Sequence, residues 1–253
     1  MAEILIAWKP TAFAVAWGVL PALVWLWFWL REDRKSPEPT GLIAISFFAG
    51  MAVVYFVLPL QQFVVSSLPT IMAWSNIIAL KLHFLAPREQ TVEITLWGTI
   101  EEIAKYTTVF FIAFRSKYFD EPIDAVIYLI TAALGFSAME NILYIVNDMN
   151  HIGVAQMLIN GNMRFVGATL VHTVCSTLVG LAIAFSFYKS WFVKMIAVVM
   201  GIIVASLLHA YFNLSIIEIN GTFNTLLVFS RFWIAILGII VLLQIVKRLN
   251  PNN

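Results

Sequence analysis

The sequence predicts an all-α polytopic membrane protein, a bundle of about seven transmembrane helices in a single membrane domain over residues 1–253. Of the 253 residues, 61% are hydrophobic and only 11% are charged, whereas about a quarter of the residues in soluble domains are charged. The net charge is +1, and no basic block is present, so a nucleic-acid partner is not expected. The lone cysteine, Cys175, excludes an intramolecular disulfide.

The seven predicted helices follow from the length of apolar chain that crosses a bilayer, about 20 residues. They cover residues 11–30, 41–65, 92–114, 122–147, 164–188, 191–218 and 223–246. Pro21 and Pro59 fall inside the first two and are expected to mark kinks or helix ends. Asp120 and Glu121 precede Pro122, a sequence typical of a capped helix start with carboxylates at the positive end of the dipole.

The segment 66–90 does not fit this pattern clearly, because its apolar part, 71–82, is short and contains Asn76 and Lys81. We expect an interfacial helix lying on the membrane rather than an eighth span. With seven spans, nine basic residues fall on one side of the membrane and five on the other. The nine are Arg31, Arg34, Lys35, Arg115, Lys117, Lys189, Lys194, Lys247 and Arg248. The positive-inside rule then places the N-terminus outside and the C-terminus in the cytoplasm.

The stretch Trp97–Phe110 places Glu101, Glu102 and Lys105 inside a predicted span. A charge at the centre of a membrane costs roughly 2.5–3.5 kcal/mol on insertion scales, so ionisable residues there usually serve a function. Glu101 and Lys105 are four residues apart and share a helix face, which allows a buried ion pair. Glu102 points about 100° away and needs another partner.

Four further polar groups lie in the following spans. They are Glu140 in the fourth helix, His172 in the fifth, and His209 and Asn213 on one face of the sixth. Taken singly, each can be a packed or hydrogen-bonded structural residue. Taken together, their positions along alternating helices place them with Glu101 and Glu102 in one layer, about 10–15 Å below the outer surface. We therefore expect one converging site.

Hydrolysis is the chemistry that this layer suggests. Two histidines and a carboxylate can hold Zn²⁺ with an open position, and a further glutamate can activate water. Without a metal, a glutamate can activate water while His209 and Asn213 donate to an oxyanion. The spacing does not separate these two schemes, because the ligands come from different helices.

Four pieces of the sequence resemble the PrsW family of membrane-embedded proteases, within the superfamily that includes CAAX prenyl proteases. They are EEIAK at 101–105, EPIDAVIY to GFSAMEN over 121–141, RFVGATLVHTVCSTLVG at 164–180 and HAYFN at 209–213. They occur in the family's order within the predicted catalytic helices, 92–218. Lys105 stands where CAAX-type relatives have an arginine, and Glu140 where they have a histidine, which favours the PrsW branch.

The resemblance implies an intramembrane endopeptidase that cuts a single-span membrane protein, such as an anti-sigma factor, near the outer face of a bacterial or archaeal cell membrane. It implies that Glu101, Glu102 and Lys105 are catalytic, that Glu140, His172 and His209 bind Zn²⁺ or activate water, and that Asn213 serves the oxyanion. Metal dependence and the choice of base between Glu101 and Glu102 stay open.

The main alternative is an ion- or proton-coupled transporter that uses the same Glu, His and Lys groups as a proton relay. Transporters often contain internal repeats around a site at the midplane, and no such repeat is evident here. A scaffold with a degenerate site and a hydrolase acting on lipid are further alternatives.

Overall fold

The computed structural model contains seven α-helices in the part of the chain that it describes. Their bounds are α1 Ala2–Leu30, α2 Thr40–Lys81, α3 Glu89–Ile112, α4 Pro122–His151, α5 Val154–Ser186, α6 Trp191–Glu218 and α7 Thr222–Val246. The described backbone covers residues 2–34, 36–151, 154–218 and 222–249, and side chains are described for 12, 14–34, 36–147, 151, 167–217 and 226–249. The predicted fold class, an all-helical polytopic bundle, is confirmed.

Five helices of the described chain are long and apolar enough to cross a membrane, and they belong to α2, α4, α5, α6 and α7. The described apolar part of α1 is Ala14–Leu30. Helix α3 has 24 residues, or about 36 Å, and its buried residues include Glu101, Glu102 and Lys105. Its charges therefore face the interior of the bundle rather than lipid. The orientation of the termini stays a prediction.

The prediction for residues 66–90 is wrong. Helix α2 does not end near residue 65 but continues for 42 residues to Lys81, with Pro59 and Pro69 in its interior. Residues 66–90, all of which the structure describes, form neither a separate interfacial helix nor an eighth span. A helix that ends in an apolar environment leaves backbone N–H and C=O groups without water to bind. A proline inside a continuous helix frees fewer of these groups and is tolerated more readily. Pro21 likewise lies inside α1 and does not end it.

Five helices form a ring, in which α2 contacts α3, α3 contacts α6, α6 contacts α5, α5 contacts α4, and α4 returns to α2. Helix α1 packs on α4, and α7 packs mainly on α5. The first part of helix α4 is buried on every face, since every residue from 122 to 138 is buried. A helix that is apolar all round belongs in the centre of a bundle, and α4 carries Glu140 just beyond this stretch.

Two glycines allow α2 and α4 to cross in backbone contact. A Cβ on Gly50 would lie 2.1 Å from the carbonyl oxygen of Ala132, and one on Gly135 would lie 1.9 Å from that of Phe47. Small residues permit such close helix contacts in membrane proteins, where packing replaces the hydrophobic effect as the source of association. This contact brings the start of α2 against the buried half of α4.

Replacing Gly135 by Ala should therefore force α2 and α4 apart and lower stability by about 3 kcal/mol, the upper end of the usual overpacking cost. Thermal unfolding in detergent measures the effect. Gly238→Ala in α7 is the matched control, because a Cβ there meets no atom within 4 Å and alanine has the higher helix propensity. Equal melting temperatures for the two variants would contradict the backbone contact.

Candidate active site at the centre of the helix ring

Helix α3 brings three ionisable side chains to the centre of the ring, each at most 4% exposed: Glu101, Glu102 and Lys105. Lys105 Nζ donates to Glu102 Oε1 at 2.8 Å and lies 3.7 Å from Glu101 Oε2. The expected ion pair between Glu101 and Lys105 is thus present, but the closer partner is Glu102. Buried charges are stable only when paired in this way.

His172 on α5 lies between Lys105 and Glu140. Its Nε2 is 2.8 Å from Glu140 Oε2, and its Nδ1 is 2.8 Å from Lys105 Nζ. A carboxylate can only accept and an ammonium can only donate. Nε2 therefore carries the proton, and the lone pair of Nδ1 faces Lys105. The Phe136 ring lies 4.4 Å from Lys105 Nζ and packs beside His172.

His209 on α6 is held in the same manner by a different glutamate. Its Nδ1 donates to Glu102 Oε1 at 2.9 Å, and its Nε2 is 3.6 Å from Glu101 Oε2. The other oxygen of Glu102 accepts from Ser176 at 3.2 Å. Gly98 permits this approach, since its Cβ position lies 3.3 Å from that of His209.

Glu101 differs from Glu102 in that one of its oxygens has no hydrogen-bond partner. Its Oε1 accepts from Gln61 of α2 at 3.0 Å, whereas its buried Oε2 accepts no hydrogen bond. This oxygen lies 3.6 Å from His209 Nε2 and 4.0 Å from His172 Nδ1. A buried acceptor without a donor is rare and indicates a missing ligand or a catalytic role.

The donor set fits a metal ion such as Zn²⁺. Glu101, His172 and His209 each offer one ligand atom, and these atoms lie within 4.8 Å of one another. Each imidazole is also bound to a second carboxylate, Glu140 or Glu102, as in carboxylate–histidine–metal sites. The sequence prediction has Glu140 as the third ligand, whereas the structure brings Glu101 into this group. Lys105 Nζ lies at His172 Nδ1 and would have to leave it when an ion binds.

A cavity of about 560 Å³ opens onto this group, and its lining includes Glu101, Glu140, His172 and His209. Asn213, one turn from His209, also lines it. Most of the other lining residues are apolar, among them Val54, Val57, Phe136, Val171, Phe212 and Phe229. Glu102 and Lys105 do not line the cavity and lie behind it. An apolar cleft with a few polar groups is the usual form of a binding site.

The structure thus brings all seven predicted residues to one place. Glu140 and His209 lie about 16 and 14 Å from the nearer helix ends at His151 and Glu218. His172 lies about 27 Å from Val154, the start of α5. Helix α5 begins ten residues before the predicted residue 164, so this length does not measure depth in the membrane, and the depth of 10–15 Å below the outer surface stays a prediction.

Gln61 and Ser176 belong to the site and were not predicted. Ser176 is four residues after His172 and so shares its helix face, which could have indicated it. Gln61 and Gln62 are adjacent amides inside the apolar run of α2. That run lies outside the four motifs quoted from the sequence, but a polar residue in a span commonly bonds across helices.

Comparison with known proteins identifies the family. A family model described as PrsW family intramembrane metalloprotease matches residues 38–244. Protease PrsW of Bacillus subtilis (strain 168) is 22% identical over 219 residues, which cover 85% of this chain and 88% of that protein. Protease PrsW of Clostridioides difficile (strain 630) is 25% identical over 238 residues, 93% and 87% of the two chains. No solved structure matches the chain significantly.

The match extends over most of the chain and confirms the resemblance seen in its motifs. Together with the apolar helices, it identifies an integral membrane protein and a protease whose relatives are bacterial. The chain belongs to the PrsW family of intramembrane metalloproteases.

Proposed function

We propose that the centre of the helix ring is a zinc-dependent active site that hydrolyses a peptide bond in a single-span membrane protein, such as an anti-sigma factor, near the outer membrane face. The observation that carries this proposal is the buried Glu101 Oε2, which accepts no hydrogen bond. It is directed toward two imidazoles and borders a cavity inside the bundle. The family match favours this function over coupled transport.

Glu101, His172 and His209 would hold the metal ion. When bound there, Zn²⁺ would supply Lewis-acid activation of water and of the scissile carbonyl group. Glu102 fixes the Nδ1–H tautomer of His209, so that Nε2 presents its lone pair to the centre. Lys105 compensates the negative charge that Glu102 adds to the interior.

Glu140 is the carboxylate that we assign as general base. It lines the cavity, its side chain is 20% exposed, and its Oε2 binds His172 Nε2–H. A water molecule in the cavity can therefore transfer a proton to it, and Glu140 can later return that proton to the leaving amine. This assignment exchanges the predicted roles of Glu101 and Glu140. Glu102 is bound on both oxygens and is excluded from the cavity, so it is not the base.

Asn213 would bind the substrate. It lies on the cavity wall on the same helix as His209, and its amide can donate a hydrogen bond to the carbonyl oxygen as negative charge develops there. Removing a donor of this kind typically slows catalysis by about 10²–10³-fold. The apolar walls of the cavity suit the side chains of a transmembrane segment.

The test is cleavage of a defined substrate in a bilayer. The purified protein is reconstituted in liposomes with a single-span anti-sigma factor from the same genome, tagged at both ends, and the fragments are mapped by mass spectrometry. We expect a cut within or next to the span, absent with Glu101→Gln. Identical fragments with wild type and variant would refute the active-site assignment. Absence of cleavage by active enzyme would refute the substrate.

Gln61→Met is expected to weaken zinc binding by about 10–100-fold, because loss of a group that orients a ligand typically has this effect. Methionine keeps the side-chain length but removes the donor to Glu101 Oε1. Zinc affinity is measured by competition with a chelator. Gln62→Met is the matched control, since Gln62 is exposed. Equal affinities for the two variants would show that Gln61 does not position Glu101.

A further inference from the structure

A second group of carboxylates lies near the start of α4, far from the active site. Its members are Glu38 from the α1–α2 connection, Asp120 from the α3–α4 connection, and Asp124 in the first turn of α4. One oxygen of each lies within 4.8 Å of the others. Asp124 precedes Glu140 by 16 residues, about 24 Å along the helix, so this cluster is separate from the catalytic centre.

Hydrogen bonds hold the cluster in place, and one of them joins the side chains of Glu38 and Asp124. Asp124 Oδ2 accepts the backbone N–H groups of Asp120 at 2.9 Å and Glu121 at 2.7 Å, which gives α4 the capped start that its sequence predicts. Glu38 accepts from the Tyr128 hydroxyl. Burial, followed by the charges of Asp120 and Glu121, raises the pKa of Glu38. Carboxylates this close repel one another unless a proton or a cation lies between them.

Asp33 provides an independent sign of a missing ligand. It is 5% exposed, and its Oδ2 has no hydrogen-bond partner. Its carboxyl group accepts the backbone N–H of Glu38, which directs it toward the cluster. Burial and the carboxylates of Glu38 and Glu121 raise the pKa of Asp33 to about 7. Lys247 lowers this pKa, but by less than burial and the two carboxylates raise it. A buried carboxylate oxygen that accepts no hydrogen bond is unfavourable, and a bound cation would relieve it.

We propose that Glu38, Asp120 and Asp124, with Asp33 beside them, bind a hard divalent cation, Mg²⁺ or Ca²⁺. The three side chains offer only oxygen ligands, which these ions prefer, whereas zinc prefers sites with imidazole or thiolate. The cation joins the α1–α2 connection to the N-terminus of α4. It thereby fixes the start of α2 against the helix that carries Glu140, and its role is structural.

The test is the melting temperature of the full chain in detergent, after EDTA treatment and dialysis, as Mg²⁺ or Ca²⁺ is added separately. We expect a saturable rise with one or both ions, because a ligand that binds only the folded state stabilises it. In Glu38→Gln and Asp120→Asn the half-saturating concentration should increase on the order of tenfold or more, since ligand charge sets the affinity. Asp120 is exposed, so its variant should fold even if Glu38→Gln does not.

Two controls separate this site from the catalytic centre. His209→Ala removes a proposed zinc ligand, and Glu89→Gln removes an exposed carboxylate at the start of α3. Both should keep the wild-type response to Mg²⁺ or Ca²⁺. Tb³⁺ bound at the cluster should luminesce by energy transfer from aromatic residues. This luminescence should be lost in Glu38→Gln, and in wild type it should be quenched by Ca²⁺.

Two results would overturn the proposal. One is a wild-type melting temperature that does not respond to Mg²⁺ or Ca²⁺, or a response that Glu38→Gln and Asp120→Asn both retain. The other is a stabilisation that appears only as the pH falls and that no cation reproduces. That result would mean that the cluster shares a proton, as expected for carboxyls with raised pKa values.

Discussion

Glu140→Gln is expected to lower the rate of proteolysis by about 10²–10⁴-fold, the usual contribution of a general base, while zinc stays bound. Glutamine keeps the shape of the side chain and can still accept the hydrogen bond from His172 Nε2, but it cannot take a proton from water. Elemental analysis of the dialysed protein measures zinc, and cleavage of the tagged substrate in liposomes measures activity.

Glu101→Gln is the matched variant, because both residues line the cavity and both changes remove one negative charge. It should lose zinc as well as activity, since an amide is a poorer ligand than a carboxylate. The opposite pattern, zinc lost with Glu140→Gln and kept with Glu101→Gln, would restore the ligand set that the sequence predicts. Zinc retained by both variants, and by His209→Ala, would place the metal elsewhere.

Lys105→Met is expected to destabilise the protein by about 3–5 kcal/mol, the cost of removing one partner from a buried ion pair. Lys105 is completely buried, and its ammonium is the cation closest to Glu102, at 2.8 Å. Methionine fills a similar volume but leaves Glu102 uncompensated in the interior. The free energy of unfolding in mixed micelles measures the effect.

The double variant Glu102→Gln, Lys105→Met is the control. It tests whether the loss of stability comes from the unpaired charge of Glu102 rather than from the changed shape of residue 105. Removing both charges should recover much of the lost stability, because a buried pair replaced as a whole is often neutral. It should not recover activity, since glutamine can accept the His209 Nδ1–H but lacks the negative charge that makes the imidazole a more basic metal ligand. If the unfolding free energy of Lys105→Met lay within about 1 kcal/mol of wild type, as for an exposed pair, the buried ion pair would be contradicted.

Residue composition and apolar periodicity were sufficient to predict the number of helices and most of their positions. The hydrophobic runs also identified the ionisable residues within predicted spans. Such residues are unusual because inserting a charge into the membrane costs free energy whichever helix carries it. They could not predict that α2 continues through Pro59 and Pro69 to Lys81. A proline leaves a backbone carbonyl group of its helix without a hydrogen bond. Whether the helix ends there depends on the groups that surround this carbonyl, and other helices supply those groups.

The sequence alone is enough to predict which residues meet in the candidate active site, since Glu101, Glu102, Lys105, Glu140, His172 and His209 are the acidic, basic and histidine side chains that lie away from the ends of four consecutive predicted spans. How these residues pair follows from the fold alone. The fold binds Glu102 and Glu140 to the imidazoles, leaves Glu101 Oε2 without a hydrogen bond, and adds Gln61 from a helix outside the recognised motifs. The physical reason is that depth in a membrane follows from position along a helix, whereas pairing depends on the rotation and close approach of helices distant in sequence. Contacts such as those at Gly98 and Gly135 set that approach.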